Sequence, residues 1–107
     1  MRFRIAYTVG ALQDLHKIGT YISDVLQEAG TAIKQVSKLM DAAESLDHMP
    51  FRHRRCEHEP WHSAGFCVFP IDNYLIFYLP DESKHVVEVS RIIYGGRNIP
   101  AQLEQSE

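Results

Sequence analysis

Between Arg2 and Tyr7 the chain alternates, with Phe3, Ile5 and Tyr7 on one side and Arg2 and Arg4 on the other. A period of two predicts a half-buried strand over 2–7. Thr8 offers a side-chain oxygen for a helix N-cap. From Ala11 the period lengthens: Leu15, Ile18, Ile22, Val25 and Leu26 recur at steps of three and four, one stripe of a helix over 11–28. Gly30 is expected at the C′ position, where a positive φ is required. A second stripe, Ile33, Val36, Met40, Ala43 and Leu46, predicts a helix over 32–48, with Lys34, Lys38, Asp41 and Glu44 facing water and Pro50 as its stop. Two amphipathic helices joined by a short link form an αα-hairpin.

Residues 51–65 have no clean period and are expected to cross irregularly, with short ordered pieces. Phe66–Ile71 and Tyr74–Leu79 then read as strands joined by Asp72-Asn73, and Pro80–Ser83 makes a second turn. Val86–Tyr94 is nearly all apolar, which predicts a central strand. Gly95-Gly96 ends it, and Arg97–Leu103 is expected to form a last short turn or helix. The order β-α-α-β-β-β predicts an α+β fold, a helical hairpin on one face of a mostly antiparallel four-stranded sheet. One domain over 1–107 is expected, divided into a strand plus hairpin (1–50), the crossing (51–65), a three-stranded meander (66–94) and a tail (95–107). Leu15, Ile18, Ile22, Val36, Met40, Phe77 and Val89 are its expected core.

Composition narrows the function. Among 107 residues, 45% are hydrophobic and 11 Lys+Arg face 14 Asp+Glu, a net charge of −3. A general nucleic-acid binder carries a strongly basic face, often with a pI above about 9; here the pI is about 6.0. Basic clusters remain local: Arg52, Arg54 and Arg55 beside His53, and Arg91 with Arg97. The apolar runs are far too short to span a bilayer, no secretory leader is apparent, and two cysteines agree with a reducing compartment, so a cytoplasmic protein without membrane contact is expected.

Two polar groupings carry candidate chemistry. His53, Cys56, His58 and His62 approach zinc-ligand spacing, but four ligands from one ten-residue segment would be cramped, and no metal or cofactor is expected. The other gathers Arg54, Arg55, Glu57, Glu59, Arg91, Tyr94 and Arg97. Cleaving RNA through a ribose 2′-hydroxyl requires a base, cations for the phosphorane-like charge and an acid for the leaving oxygen. Glu59 or His58 suits the base, Arg91 and Arg97 the cations, Tyr94 the acid; the bland alternative is a salt-bridged surface beside a strand end. Trp61 is expected to anchor a loop. Cys56 and Cys67 lack the setting of a nucleophile, and no Gly-rich phosphate loop occurs.

Several stretches taken together resemble the RelE/ParE superfamily of toxins from bacterial type II toxin-antitoxin systems. They are Asp14-Leu15-x2-Ile18-x2-Tyr21-Ile22, Leu46-Asp47-His48-Met49-Pro50, Glu59-Pro60-Trp61, Asn73 to Leu79 and Ile93-Tyr94-Gly95-Gly96-Arg97-Asn98. The resemblance spans about residues 2–103. It implies a small α+β toxin bound as a hetero-oligomer by a cognate antitoxin protein. RelE-like members are similar to ribosome-dependent mRNA endoribonucleases, whereas ParE-like members poison DNA gyrase. Cys67 stands where a basic residue is common, Leu79 where Arg is frequent, Tyr94 where many members end in His, and Asn98 where Asp is usual. Those positions, the acidic balance and the long hairpin lean toward gyrase. The alternatives are a ribosome-dependent nuclease using Arg91, Tyr94, Arg97, Glu59 and His58, and an inactive relative that only binds antitoxin. On the gyrase reading Arg54, Arg55, Arg97, Ile99 and Leu103 are the expected target contacts.

Overall fold

A computed structural model describes residues 2–96 and 99–104. Strand β1 (Arg4–Tyr7) leads through Thr8 into helix α1 (Val9–Thr20). The Thr8 hydroxyl oxygen accepts from the Ala11 amide at 3.0 Å and donates to the Ser90 carbonyl at 2.8 Å, so one residue caps the helix and ties it to the sheet. Helix α2 (Ala29–Glu44) returns antiparallel, and a knuckle at 45–53 leads into the crossing. A four-residue helix α3 (Trp61–Ala64) precedes strands β2 (Cys67–Ile71), β3 (Tyr74–Asp81) and β4 (Val86–Tyr94), and helix α4 (Ile99–Glu104) follows.

The sheet order is β1-β4-β3-β2, with β1 parallel to β4 and the other pairs antiparallel, so β4 is central as its apolar run predicts. Pairing of β3 with β4 slips after Phe77↔Arg91 to Tyr78↔Val89, leaving Ser90 as a bulge. Ile76, Tyr78, Val87, Val89 and Ile92 pack under Leu15, Leu39, Ala43 and Leu46 of the hairpin side. The opposite face has its own core, in which Cys56, Val68, Phe77, Ile93 and Leu103 meet Trp61, Phe66, Leu75 and Ile99. The hairpin thus covers one face, while the crossing and α4 cover the other.

The hairpin departs from the sequence expectation in two places. After Thr20 the helix widens to a π-turn over Tyr21–Val25, with the Leu26 amide bonded to the Tyr21 carbonyl at 3.2 Å. The extra residue per turn rotates the stripe, so Ile22 is buried while Val25 and Leu26 face water. The left-handed residue is Gln27 (φ 56°), not Gly30, which lies inside the first turn of α2. On α2 the buried positions are Ala32, Leu39, Ala42 and Ala43, followed by Leu46; Ile33 is 69% exposed and Met40 39%. Small alanines let α2 approach closely, so the bulkier set one position on is turned outward. Of the expected core, Leu15, Ile22, Phe77 and Val89 are buried, Ile18 and Val36 half-buried, and Met40 lies at the surface.

Candidate active and target-binding site

Beyond Val89, β4 has no β1 partner, and α1 lies along that free edge. Asp14, buried on α1, takes the place of the missing strand. Its carboxylate accepts from the Ile92 amide at 2.9 Å and from Arg91 Nε and Nη2 at 2.6 and 2.9 Å. The third arm of Arg91, Nη1, donates to the Gln102 carbonyl of α4 at 2.8 Å. With the side chains of Arg91 and Asp14 only 13% and 9% exposed, this guanidinium is a strut between α1, β4 and α4.

Tyr94 ends β4 with 44% of its surface exposed. Its ring stands edge-on to Tyr74 at 5.9 Å, and the Gln102 side-chain amide donates to its carbonyl at 3.0 Å. Gly96 leaves room beside it, since a Cβ there would come within 2.7 Å of the Tyr94 ring and force that ring to shift. Lys17, Ile18, Tyr21, Tyr74, Tyr94 and Gln102 line a cleft of about 390 Å³. Burial, then Tyr94, Tyr21 and Asp72, push the Tyr74 phenol up.

His58 and Glu59 lie elsewhere. Tyr74, directly paired with Tyr94, packs with the hairpin-side core, whereas His58 borders Leu75, Phe77 and Ile99 on the opposite face. The sheet therefore separates the expected acid from the expected base. Glu59 is fully engaged with α3, accepting from the Ser63 hydroxyl at 2.7 Å and the Ser63 amide at 3.1 Å. Those bonds, the hydroxyl's first, hold its carboxyl below the usual range, which weakens it further as a base.

The other expected residues scatter. Arg54 is exposed, 3.9 Å from Glu57, and Arg55 donates to the His62 carbonyl at 2.6 Å. Ile99 and Leu103 turn into the second core, Leu103 almost wholly buried. Arg97 lies outside the described residues. Of the zinc-like set, His53 stacks on Phe69 at 4.0 Å, Cys56 is buried, and His62 Nδ1 sits 2.7 Å from the Cys56 carbonyl. Among the described residues no three His, Cys, Asp or Glu converge to hold a metal, and no helix is long and apolar enough to cross a membrane. The residue that sequence reasoning left without a role is Asp14. Its signal was its position: it falls among Ala11, Leu15 and Ile18 on the apolar stripe, where a carboxylate needs a buried partner.

A family model for the ParE toxin of type II toxin-antitoxin system, parDE, matches residues 5–99. No curated protein matches the sequence. Among solved structures, the chain is similar to the chromosomal ParDE TA system from P. aeruginosa, with TM-score 0.71 and 17% identity over 87% of this chain and 96% of that one. It is also similar to the RelBE2 toxin-antitoxin complex from Mycobacterium tuberculosis, with TM-score 0.65 and 18% identity over 88% and 92%. The isolated E. coli RelE toxin gives TM-score 0.53 and 15% identity over 96% and 95%.

Proposed function

The chain belongs to the ParE toxin family of type II toxin-antitoxin systems, and from that premise we propose that it arrests growth by binding DNA gyrase, without RNA chemistry, and is neutralised by a cognate antitoxin. One observation carries the choice of target. Arg91, one of the two cations expected to stabilise a scissile phosphate, spends all three guanidinium nitrogens on Asp14 and Gln102. Catalysis of acyl or phosphoryl transfer depends on donors aimed at the developing charge, and this donor is aimed at the protein itself. The separation of Tyr94 from His58 and Glu59 by the sheet supports the same reading.

Purified protein added to a gyrase supercoiling reaction should inhibit it, and induced expression should stop growth with DNA breaks rather than A-site mRNA cleavage. Tyr94→Phe should retain growth arrest, because binding needs no proton transfer. Cleavage mapped to the ribosomal A site and abolished in Tyr94→Phe would replace this reading with the nuclease one. A chain that binds its antitoxin yet is harmless on expression would be the inactive relative.

A further inference from the structure

Three tyrosines from three different elements wall the cleft beside the end of β4. Tyr21 follows α1, Tyr74 opens β3 and Tyr94 closes β4; Lys17, Ile18 and Gln102 complete the lining. Its volume of about 390 Å³ falls within the roughly 300–1,000 Å³ of small-molecule sites. After burial, the neighbouring phenols of Tyr94 and Tyr21 are what push the Tyr74 phenol up, so the three hydroxyl ends lie close together. The π-turn begins at Tyr21, which it leaves 53% exposed on the cleft wall. A π-turn within a helix is rare and frequently marks a functional site.

The polar groups of this cleft are uncommitted. Among the described residues, neither the three phenol hydroxyls nor the Lys17 ammonium has a hydrogen-bond or ion-pair partner. Gln102 spends its side-chain nitrogen on the Tyr94 carbonyl, at 3.0 Å, which leaves its Oε1 as an acceptor. The backbone beside the cleft is differently placed. On the free edge of β4 the Ile92 amide is taken by Asp14 and the Tyr94 carbonyl by Gln102, so a peptide strand pairs there only by displacing both. Recognition in the cleft therefore falls to side chains.

Those side chains specify a ligand class. Aromatic faces and edges hold a planar ring, and base–aromatic stacking accepts any base. Lys17 lies one helical turn before Tyr21, on the same face, where its ammonium can meet a phosphate attached to such a ring. No acid is among the six lining residues, and Lys17 is their one cation. A single cation matches a single phosphate, whereas a nucleic-acid strand is held by several. We propose that this cleft binds a nucleoside monophosphate, with the base among Tyr21, Tyr74 and Tyr94 and the phosphate on Lys17. The Gln102 Oε1 accepts from a base amine or a sugar hydroxyl. Because Gln102 belongs to α4, a bound nucleotide joins α1, β4 and α4. The site is separate from the choice of target and stands whether or not gyrase is struck.

Titration calorimetry of the full chain with AMP, GMP, CMP and UMP tests this. At least one should bind with a dissociation constant between about 10 μM and 1 mM. Its nucleoside, lacking the charge, should bind about two- to fivefold more weakly, the range of an exposed ion contact. Inorganic phosphate at equal concentration should not compete. Lys17 and Tyr21 are both exposed, so replacing them leaves the core intact. Tyr21→Ala should weaken the nucleotide and the nucleoside alike by about tenfold, the loss of one stacking face. Lys17→Met should weaken only the nucleotide. Absence of binding by all four monophosphates at about 5 mM overturns the proposal. So does binding that neither Tyr21→Ala nor Lys17→Met changes, which would put the nucleotide elsewhere. Inorganic phosphate competing as well as the nucleotide itself also overturns it, because the rings would then contribute nothing.

Discussion

Asp14 shows how one side chain can complete an element. A carboxylate on an apolar stripe would ordinarily be expelled, yet here it replaces a β-strand's carbonyl for the Ile92 amide and pairs with Arg91. Removing one partner of such a pair leaves the other charge buried and alone, which costs about 3–5 kcal/mol. Asp14→Ala should lose that much in urea denaturation, with a further penalty at the orphaned Ile92 amide; a loss below about 1 kcal/mol, the range of surface pairs, would show that the strut is ornamental. The sequence marks Asp14 only by its place on the apolar stripe and does not name its partner, because the two lie 77 residues apart. His53 is the second residue with a distinctive setting. Stacked on Phe69 and edge-on to Tyr78, its buried Nε2 has no partner among the described residues. Burial first, then Arg52, lowers its pKa from 6.5. The unfolded chain therefore binds a proton at this site before the folded one does. Stability should fall as the pH drops through 6.5 toward the depressed folded value and level off below it. Melting curves between those limits should show a shallower decline in His53→Phe, which keeps the stack and cannot titrate.

At the scale of elements, the strands were the legible part. The sequence placed Val86–Tyr94 to the residue and the other strand ends to within two positions, because period-two patterning and the turn residues Asp72-Asn73 mark them locally. The helix hairpin was legible in outline only. Two overlapping stripes compete on α2, and close approach through Ala32, Ala42 and Ala43 decides between them, a choice made by packing and invisible to periodicity. The π-turn is likewise a tertiary outcome, and it moves the left-handed residue from Gly30 to Gln27. That displacement yields a prediction. Gly30 now sits in helical backbone with nothing within 4 Å of a built Cβ. Gly30→Ala should therefore stabilise the fold by up to about 1 kcal/mol, from lowered chain entropy in the unfolded state and better helix propensity. Had Gly30 been the cap, the same change would destabilise, so thermal unfolding of this one variant distinguishes the two placements.

For the whole molecule, the sheet is the organising fact, since it divides residues that the sequence had grouped. Tyr94 belongs to the α1 side and His58 to the other, a separation that strand alternation decides but that requires knowing where the crossing packs. The family resemblance was readable because it depends on ordered motifs; the candidate site was not, because it depends on which guanidiniums remain free. Arg52, Arg55 and Arg91 each bond to the chain's own carbonyls or carboxylates. With three of the 11 Lys+Arg committed inward and 14 Asp+Glu along the chain, the charge balance is poor for displacing counterions from nucleic acid. Affinity dominated by phosphate contacts is steep in salt: 6–10 such contacts lose about 10³–10⁵ in binding between about 50 and 200 mM. A toxin that holds gyrase by protein–protein contact, as proposed, should lose less than about tenfold over that range. Surface plasmon resonance on DNA-loaded gyrase, repeated across that salt series, measures the slope. A steep slope would place the grip on phosphate and return the ribosome, with its dense backbone charge, to the front.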